Sequence, residues 1–551
     1  MNPRILTVLL AFRATWDHLS MAPNLLSCDR DQLYLMPPSV RDWLPEGHLA
    51  FFVLDVVEEL DVSGFYDRFR VDGKGGAGYD PAMMLAVLLY AYATGERSSR
   101  RIERRLREDV AYRVLAANHH PDHSTLARFR QRNEAEIAQL FTQVLALCVK
   151  AGLVDTGLVA IDGTKMSANA SYFANMTKEE LAKAILDEAA RTDAEEDERF
   201  GDKRGDELPE QWANPKDRRS RIKEAFRQLE EETTLDYEGR MAERARKEKE
   251  LGKKLTGPQP TKTPAHPRSP RKRNVTDPDS RVMPLNGKGV IQGYNPQAAS
   301  TEGHIIVAAE LSNCPNDARN FVPVVEAMKE NLATAGHDAG IGTILADAGY
   351  WTTQNATTET GSNLLISTIS PRYRRAPRPS DDKLAVLQRV SKGELSQRKA
   401  GEILGVSYTW INNMSKRYFP PEGEPMAVSP TFEVRLPVIE KVSRGELSMR
   451  KAAVQLGVSV PRVKELVHRL ENGLPDPDQV RDQMNAKLAE EGNKALYKRR
   501  TPMIEPIFGD IKFNRGYRRF MRRGASAVGS EWRLICATNN LLKLWRSAPA
   551  S

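Results

Sequence analysis

Three acidic residues in this chain stand where a metal-dependent phosphodiester reaction would need them. Asp162 closes the apolar run Leu158-Val-Ala-Ile and precedes Gly163. Asp347 closes a second run, Gly342-Thr-Ile-Leu-Ala, and Glu505 lies among apolar residues at helical spacing (Ile504, Ile507, Phe508, Ile511). A short apolar run ended by a turn-forming residue reads as a buried strand. Breaking or making a phosphodiester calls for two divalent ions about 4 Å apart, one serving the nucleophile and one the leaving oxygen. Magnesium takes hard oxygen ligands and keeps several waters, so three protein carboxylates suffice when rigid elements aim them at one point. Two strand ends and a helix are such elements. Each residue alone also has an ordinary reading: aspartate before glycine forms turns, and a glutamate before proline need do nothing. Pro506 further requires that the helix start close to Glu505.

The elements that must position these residues differ in texture along the chain. Residues 30–150 are helical in pattern, with Pro81-Ala-Met-Met-Leu-Ala-Val-Leu-Leu-Tyr-Ala-Tyr on a buried-helix period. Gly95-Glu-Arg-Ser-Ser-Arg-Arg-Ile-Glu-Arg-Arg-Leu-Arg adds a helix with a basic face. His123-Ser-Thr-Leu-Ala-Arg-Phe-Arg-Gln-Arg opens on a cap and carries Arg128, Arg130 and Arg132. A capped basic helix after a short turn is what a DNA-reading helix looks like, and equally a solvated basic face. Residues 177–252 are charged, apolar-poor and rich in helix formers, which predicts long solvated helices, such as a hairpin standing off the core. Residues 253–273 are proline-rich and basic without an acid, a flexible linker suited to a phosphate backbone. Gly289-Val-Ile-Gln-Gly-Tyr and His304-Ile-Ile-Val-Ala-Ala-Glu-Leu predict two antiparallel strands, and Asp317 a cap for the helix containing Phe321.

A repeat follows Asp347. Val390-Ser-Lys-Gly-Glu-Leu-Ser-Gln-Arg-Lys-Ala recurs as Val442-Ser-Arg-Gly-Glu-Leu-Ser-Met-Arg-Lys-Ala, and the match continues through Leu404-Gly-Val-Ser and Leu456-Gly-Val-Ser. Each copy reads as helix, helix, Gly-Val-Ser turn, helix. Ala400 and Ala452 permit close helix approach, and Gly405 and Gly457 permit the turn. This is a tandem helix-turn-helix. Its reading helices begin near Tyr408 and Pro461 and carry Asn412, Asn413, Lys416 and Arg417, then Arg462, Lys464 and Arg469.

The bulk numbers agree with such a partner. A length of 551 residues allows three or four domains, and a net charge of +8 favours polyanions. Cys28, Cys148, Cys314 and Cys536 lie too far apart for a metal knuckle and read as buried thiols in a reducing compartment. Residues 1–29 include a stretch like a short signal peptide, but Arg13, Asp17 and His18 follow it and no small-residue cleavage site is evident. A misplaced start, with Met21 or Met36 as the true one, explains it as well. The expectation is a cytoplasmic, nucleoid-associated protein without a membrane span.

The words around the acids are more specific than the acids. Val159-Ala-Ile-Asp-Gly-Thr-Lys, Asn274-Val-Thr-Asp-Pro-Asp-Ser-Arg, Gln292-Gly-Tyr-Asn, Leu345-Ala-Asp-Ala-Gly-Tyr and Ile504-Glu-Pro-Ile-Phe-Gly-Asp-Ile-Lys occur in this order. The chain thereby resembles bacterial insertion-sequence transposases of the DDE superfamily, in the subgroup with a Tyr/Arg/Glu/Lys signature. The resemblance covers about 30–370 and 480–545. It implies an α/β fold with a ribonuclease-H-like mixed-sheet core and a helical N-terminal domain, to which the sequence pattern itself adds the charged helical insertion and the tandem helix-turn-helix insertion. The implied layout is 1–29 an unassigned extension, 30–150 a helical DNA-binding domain, and 151–176 the first part of the core. Then come 177–273 charged insertion and linker, 274–376 second core part, 377–475 tandem helix-turn-helix, and 476–551 the C-terminal helices of the core.

By the same resemblance Asp162, Asp347 and Glu505 are the catalytic, metal-binding triad for two Mg²⁺ or Mn²⁺ ions. Tyr497, Arg500 and Lys512 match the signature positions that hold DNA. The Arg500–Glu505 spacing is one residue longer than the strict signature, so Arg499 is a candidate too. Tyr350 and Trp351 are candidates for stacking on an unpaired base, with core packing as the default. The helix-turn-helix repeat is not a usual part of the family. The implied partners are DNA, both terminal inverted repeats and target, and a second copy of the chain at least. The implied activity is DNA cleavage and strand transfer. Two alternatives stay open: a related nuclease on the same core, and a DNA-binding regulator or decayed transposase without catalysis.

Overall fold

Local pattern and structure agree first where the apolar period is strongest, in the helix from Pro81 to Ala93, which is buried along nearly its whole length. The computed structural model describes residues 28, 39, 42, 44–67, 69, 77–177, 180–181, 183, 216–251, 259–260, 272–285, 289–368, 381–418 and 432–547. The expectations for the N-terminal extension and for the basic linker fall outside these residues, apart from 28, 259–260 and 272–273. In chain order the elements are α1 (Leu49–Glu59), α2 (Pro81–Ala93), α3 (Ser99–Glu108), α4 (Val110–Leu115), α5 (His123–Arg132) and α6 (Glu134–Lys150). Strands β1 (Leu158–Gly163), β2 (Met166–Ser167) and β3 (Asn175–Met176) precede the helix α7 (Lys216–Leu251). Next come β4 (Arg273–Asn274), β5 (Arg281–Leu285), β6 (Gly289–Thr301), β7 (Ile306–Ser312), α8 (Phe321–Thr334), β8 (Thr343–Ala346) and β9 (Asn363–Ile366). Helices α9 (Asp381–Ser391), α10 (Gln397–Leu404), α11 (Tyr408–Tyr418), α12 (Phe432–Ser443), α13 (Met449–Leu456) and α14 (Val460–Glu471) form the repeat. The chain closes with α15 (Pro477–Ala489), α16 (Glu491–Lys498), α17 (Arg500–Gly509) and α18 (Ala525–Ser547).

Two units divide the chain, Met1–Ile344 with Arg499–Ser551, and Leu345–Lys498. In the first, β6 is the spine of a mixed sheet. It pairs antiparallel with β1, β2, β5 and β7, and β8 lies on the other side of β1. Register sets Asp162 opposite Ala298 and Gly163 opposite Gln297. A Cβ at Gly163 would lie 2.2 Å from Gln297 Nε2 and 2.8 Å from Asp317 Oδ1, so both of those side chains would have to shift to admit one. The Asp162 strand end is therefore packed directly against β6.

Helix α18 fastens this sheet to the N-terminal helices. Trp532, fully buried, donates its Nε1–H to Gln297 O at 3.0 Å. Asn540 accepts from Ile306 N–H at 2.8 Å and donates to Ile306 O at 2.7 Å. An amide offers the same donor and acceptor as a peptide unit, so Asn540 replaces a strand neighbour along β7. Arg515, buried, reaches Tyr92 O at 3.0 Å and Ile535 O at 3.3 Å, joining α2 to α18.

Two expectations change. The described part of the charged insertion does not stand off the core: α7 buries Ala225 and Leu229, Gln228 donates to Asp279 at 2.8 Å, and Glu232 accepts from Arg281 at 3.2 Å. A polar sequence hides such attachment because its partners are charges, not an apolar stripe. Asp317 is not the cap of α8 either. Asn316 caps the short turn Asp317–Asn320 that leads into it, while Asp317 accepts from Asn295 Nδ2 at 2.7 Å and Gln297 Nε2 at 3.2 Å.

In the second unit β8 ends beside β9, with Ser367 N–H donating to Ala346 O at 3.2 Å. Both repeat copies are three-helix bundles. Gly405 (φ +63°) and Gly457 (φ +62°) take the left-handed conformation that ends the second helix of each copy. Ala400 and Ala452 are fully buried in two separate small cores. The second copy is also clamped to α15. Arg435, buried, donates to Asp476 at 3.0 Å and to Asp478, and Arg462 donates to Asp478 at 2.7 Å. Burial alone would raise the Asp478 pKa, but these two guanidinium groups outweigh it and leave the carboxyl lowered.

Candidate active site at the end of strand β1

Asp162 sits where β1 ends, with its Oδ1 accepting the Gly163 N–H at 2.8 Å and its Oδ2 accepting from Arg500 at 3.0 Å. Arg500 is the first residue of α17, the helix that carries Glu505, and it is largely buried. Of the two arginine candidates, Arg500 is the one facing Asp162; Arg499 is half-exposed and pairs with Glu302. Lys512 approaches from beyond the same helix. Its Nζ donates to Lys165 O at 2.9 Å and to Thr164 Oγ1. Burial brings the Lys512 ammonium down to about 8, with the Asp162 charge pulling the other way. Lys512 lies in a π-helical turn, Asp510–Asn514, that continues α17. Such turns arise where a helix is forced off its ladder.

A second irregularity lies within α17 itself. Helix α17 begins at Arg500, not next to Glu505, so Pro506 falls inside it. A proline has no N–H, and the carbonyl four residues back loses its helical donor. That carbonyl belongs to Pro502, and the His304 imidazole Nε2 lies 2.9 Å from it. Lys543 Nζ is 3.3 Å from the other ring nitrogen, Nδ1. An ammonium can only donate, so Nδ1 accepts and Nε2 carries the hydrogen given to Pro502 O. His304 occupies the turn between β6 and β7 at φ +63°, a conformation uncommon for a non-glycine residue. It was invisible in the sequence; the only hint was Pro506, which announces an orphaned carbonyl but not its donor. Glu505 itself is exposed on α17, while Met503, Ile504, Ile507 and Phe508 are buried.

Asp347 and Tyr497 belong to the second unit. Asp347 is half-buried and accepts the Gly349 N–H at 2.8 Å, capping the turn Ala348–Tyr350. Tyr497 donates its hydroxyl to Ala346 O at 3.1 Å, one residue before Asp347. Tyr350 is fully buried and so is a core aromatic, while Trp351 is partly exposed. Among the described residues, no group of three or more histidine, cysteine, aspartate or glutamate side chains is gathered so that it could hold a metal ion.

The remaining basic candidates separate by environment. Arg130 donates to Arg97 O at 2.9 Å, to Tyr92 Oη at 3.3 Å and to Ser99 Oγ, and so ties α5 to α2 and α3. Arg128 is exposed on the same helix, with Ser124 as its described partner. The words Asn274-to-Arg281 and Gln292-to-Asn295 support each other. Tyr294 donates to Asp277 at 2.8 Å, Gln292 donates to Ser280, and Asn274 Oδ1 accepts from the Thr276 and Asp277 N–H groups. Burial raises the Asp277 pKa despite that tyrosine. No described helix is long and apolar enough to cross a membrane.

Two family models match the chain. A transposase domain (DUF772) spans residues 38–132, the region of α1 to α5, and a transposase DDE domain spans 473–545. The second contains Tyr497, Arg500, Glu505 and Lys512 in the positions just described. Both matches are to transposase families, and together they support an insertion-sequence DDE transposase. Neither match reaches Asp162 or Asp347. Comparison with curated proteins and comparison with solved structures each found no match. DDE transposases generally use divalent metal ions and act on DNA.

Proposed function

We propose that this transposase cuts DNA at the ends of its own insertion element and joins the freed 3′-hydroxyl to target DNA. Asp162, Asp347 and Glu505 would hold the divalent ions, Mg²⁺ or Mn²⁺, two per site. The observation that carries the reading is the Asp162–Arg500 ion pair, with Lys512, from the turn that continues the helix, lodged beside it and Glu505 on the helix that begins at Arg500. An all-carboxylate donor set suits a hard cation, so the residues fit the ion in chemistry. When bound, the ions supply Lewis-acid polarisation of the phosphate and its attacking oxygen. Arg500 and Lys512 offset the negative charge of carboxylates and phosphate together, and their fixed positions stabilise charge on an in-line transfer. A ribonuclease-H-like core is supported by β1 lying between β6 and β8 with Asp162 at its end. The two three-helix copies and exposed Arg128 are proposed to read DNA, and two element ends would bring at least two copies of the chain together.

The test is cleavage of labelled element-end DNA in Mg²⁺ by the native chain and by Glu505→Gln. Cutting that disappears in the variant while DNA binding persists supports the carboxylate site. Equal cutting removes Glu505 from it, and binding without cutting by either protein favours a regulator.

A further inference from the structure

Beyond Lys512 the first unit carries a strip that the cleavage chemistry does not use. From Ile511 to Ser530 there is no acidic residue, while Lys512, Arg515, Arg518, Arg519, Arg522 and Arg523 are all basic. Arg518 and Arg519 run beside β2: Ser167 bridges Arg519 in parallel register, and Phe520 N–H donates to Ser167 O at 2.9 Å. The strip continues as Asn169 donates to Met521 O at 2.8 Å and Arg523 Nε donates to Asn169 O at 2.9 Å. Arg518, Arg519 and Arg523 are exposed.

Aromatic rings stand exposed at both ends of this strip. Phe513, next to Lys512, is 68% exposed, and the Arg518 guanidinium lies 4.9 Å from its ring centre. At the far end Tyr172 is 49% exposed and Phe173 is 92% exposed, with ring centres 5.9 Å apart. The turn that holds them is pinned, since Asn274 donates to Ser171 O at 2.7 Å and Val275 N–H donates to Ala174 O at 2.9 Å. Tyr172 and Phe173 together make a contiguous apolar face on fixed backbone, and contiguous exposed apolar faces mark interaction sites.

We propose that this strip is a track for single-stranded DNA, leading away from the carboxylate site, with bases stacked on Phe513 and Phe173 and phosphates along Arg518, Arg519 and Arg523. Charge selects a polyanion, and the flat apolar faces select bases whose own faces are open, which a paired duplex does not offer. A guanidinium already lying over a ring extends the stacking surface. The inference rests on the DNA-cleavage reading for the strip's role, but not for its binding.

The test uses the full-length chain in EDTA, so that cutting does not enter. The probes are a short oligo-dT strand carrying one 2-aminopurine and a blunt duplex of equal length. Phe513→Ala and Phe173→Ala should each weaken binding of the single strand about ten-fold and reduce the 2-aminopurine fluorescence change. Their effect on the duplex should stay under about two-fold, and Phe513→Trp should keep both single-strand signals. Both side chains are exposed, and unchanged melting confirms that the variants fold. Single-strand affinity that survives both alanine variants overturns the track, as does an equal loss for strand and duplex. Binding is read in EDTA without any cutting, so failure here and failure of the cleavage reading are separate results.

Discussion

Replacing His304 tests whether the proline inside α17 shapes the candidate site. The imidazole supplies Pro502 O with the donor that Pro506 withholds, three residues from Glu505. A net hydrogen bond contributes about 0.5–1.5 kcal/mol, and Pro502 is exposed enough for water to compensate partly, so the lower half applies to stability. The left-handed backbone at His304 costs roughly 1–2 kcal/mol in a non-glycine residue. His304→Gly removes both terms, and the folded state should change in stability by no more than about 1 kcal/mol. The helix turn carrying Glu505 then loses its external anchor. If the anchor's 0.5–1.5 kcal/mol is expressed in the transition state, kcat falls about 2- to 12-fold. The KM for DNA should change little, because His304 touches no exposed basic strip. His304→Gln, with an amide N–H at similar reach, should recover much of the loss. The assay is single-turnover cleavage of element-end DNA in Mg²⁺ with melting measured in parallel. A His304→Gly variant that folds and cuts at the native rate refutes the idea that this contact positions Glu505.

Two further outcomes follow from the same geometry. Gly163→Ala should lower stability by about 1–3 kcal/mol and depress cleavage more than DNA binding, because the new methyl displaces Gln297 and Asp317 behind Asp162; thermal melting and cleavage assays check both, and a native-like melt contradicts the packing argument. Lys512, lowered by burial to about 8 from an unfolded value near 10.5, binds fewer protons folded than unfolded between these values. Its cost to the fold is therefore complete below pH 8 and is relieved as pH rises toward 10.5, by up to about 3 kcal/mol. Compared with Lys512→Met, the native chain should gain in melting temperature between pH 7 and 10, and a difference that stays flat with pH removes the perturbed lysine.

What the sequence determined by itself was local and periodic. The buried helix Pro81–Ala93, the strands closing on Asp162 and Asp347, and the repeat with Gly405 and Gly457 at its turns all follow from side-chain period and backbone freedom within a few residues. The family words pointed correctly to a transposase, and Glu505 was legible as an acid among apolar residues at helical spacing, which the structure leaves exposed between buried neighbours. Tertiary structure decided which cation meets which acid. Arg499 and Arg500 are adjacent and chemically identical, yet one pairs with Glu302 in a loop and the other with Asp162 at a strand end. Arg130 shares a helix with Arg128 but bonds inward to α2 and α3, and Arg462, expected on a reading helix, is bound by Asp478. Nor could periodicity reveal His304, almost two hundred residues from the carbonyl it serves. Helical and strand patterns record which face of an element is buried; they carry no record of the distant side chain that completes a broken hydrogen-bond ladder, because that partner is chosen by the fold that brings β6, β7 and α17 together.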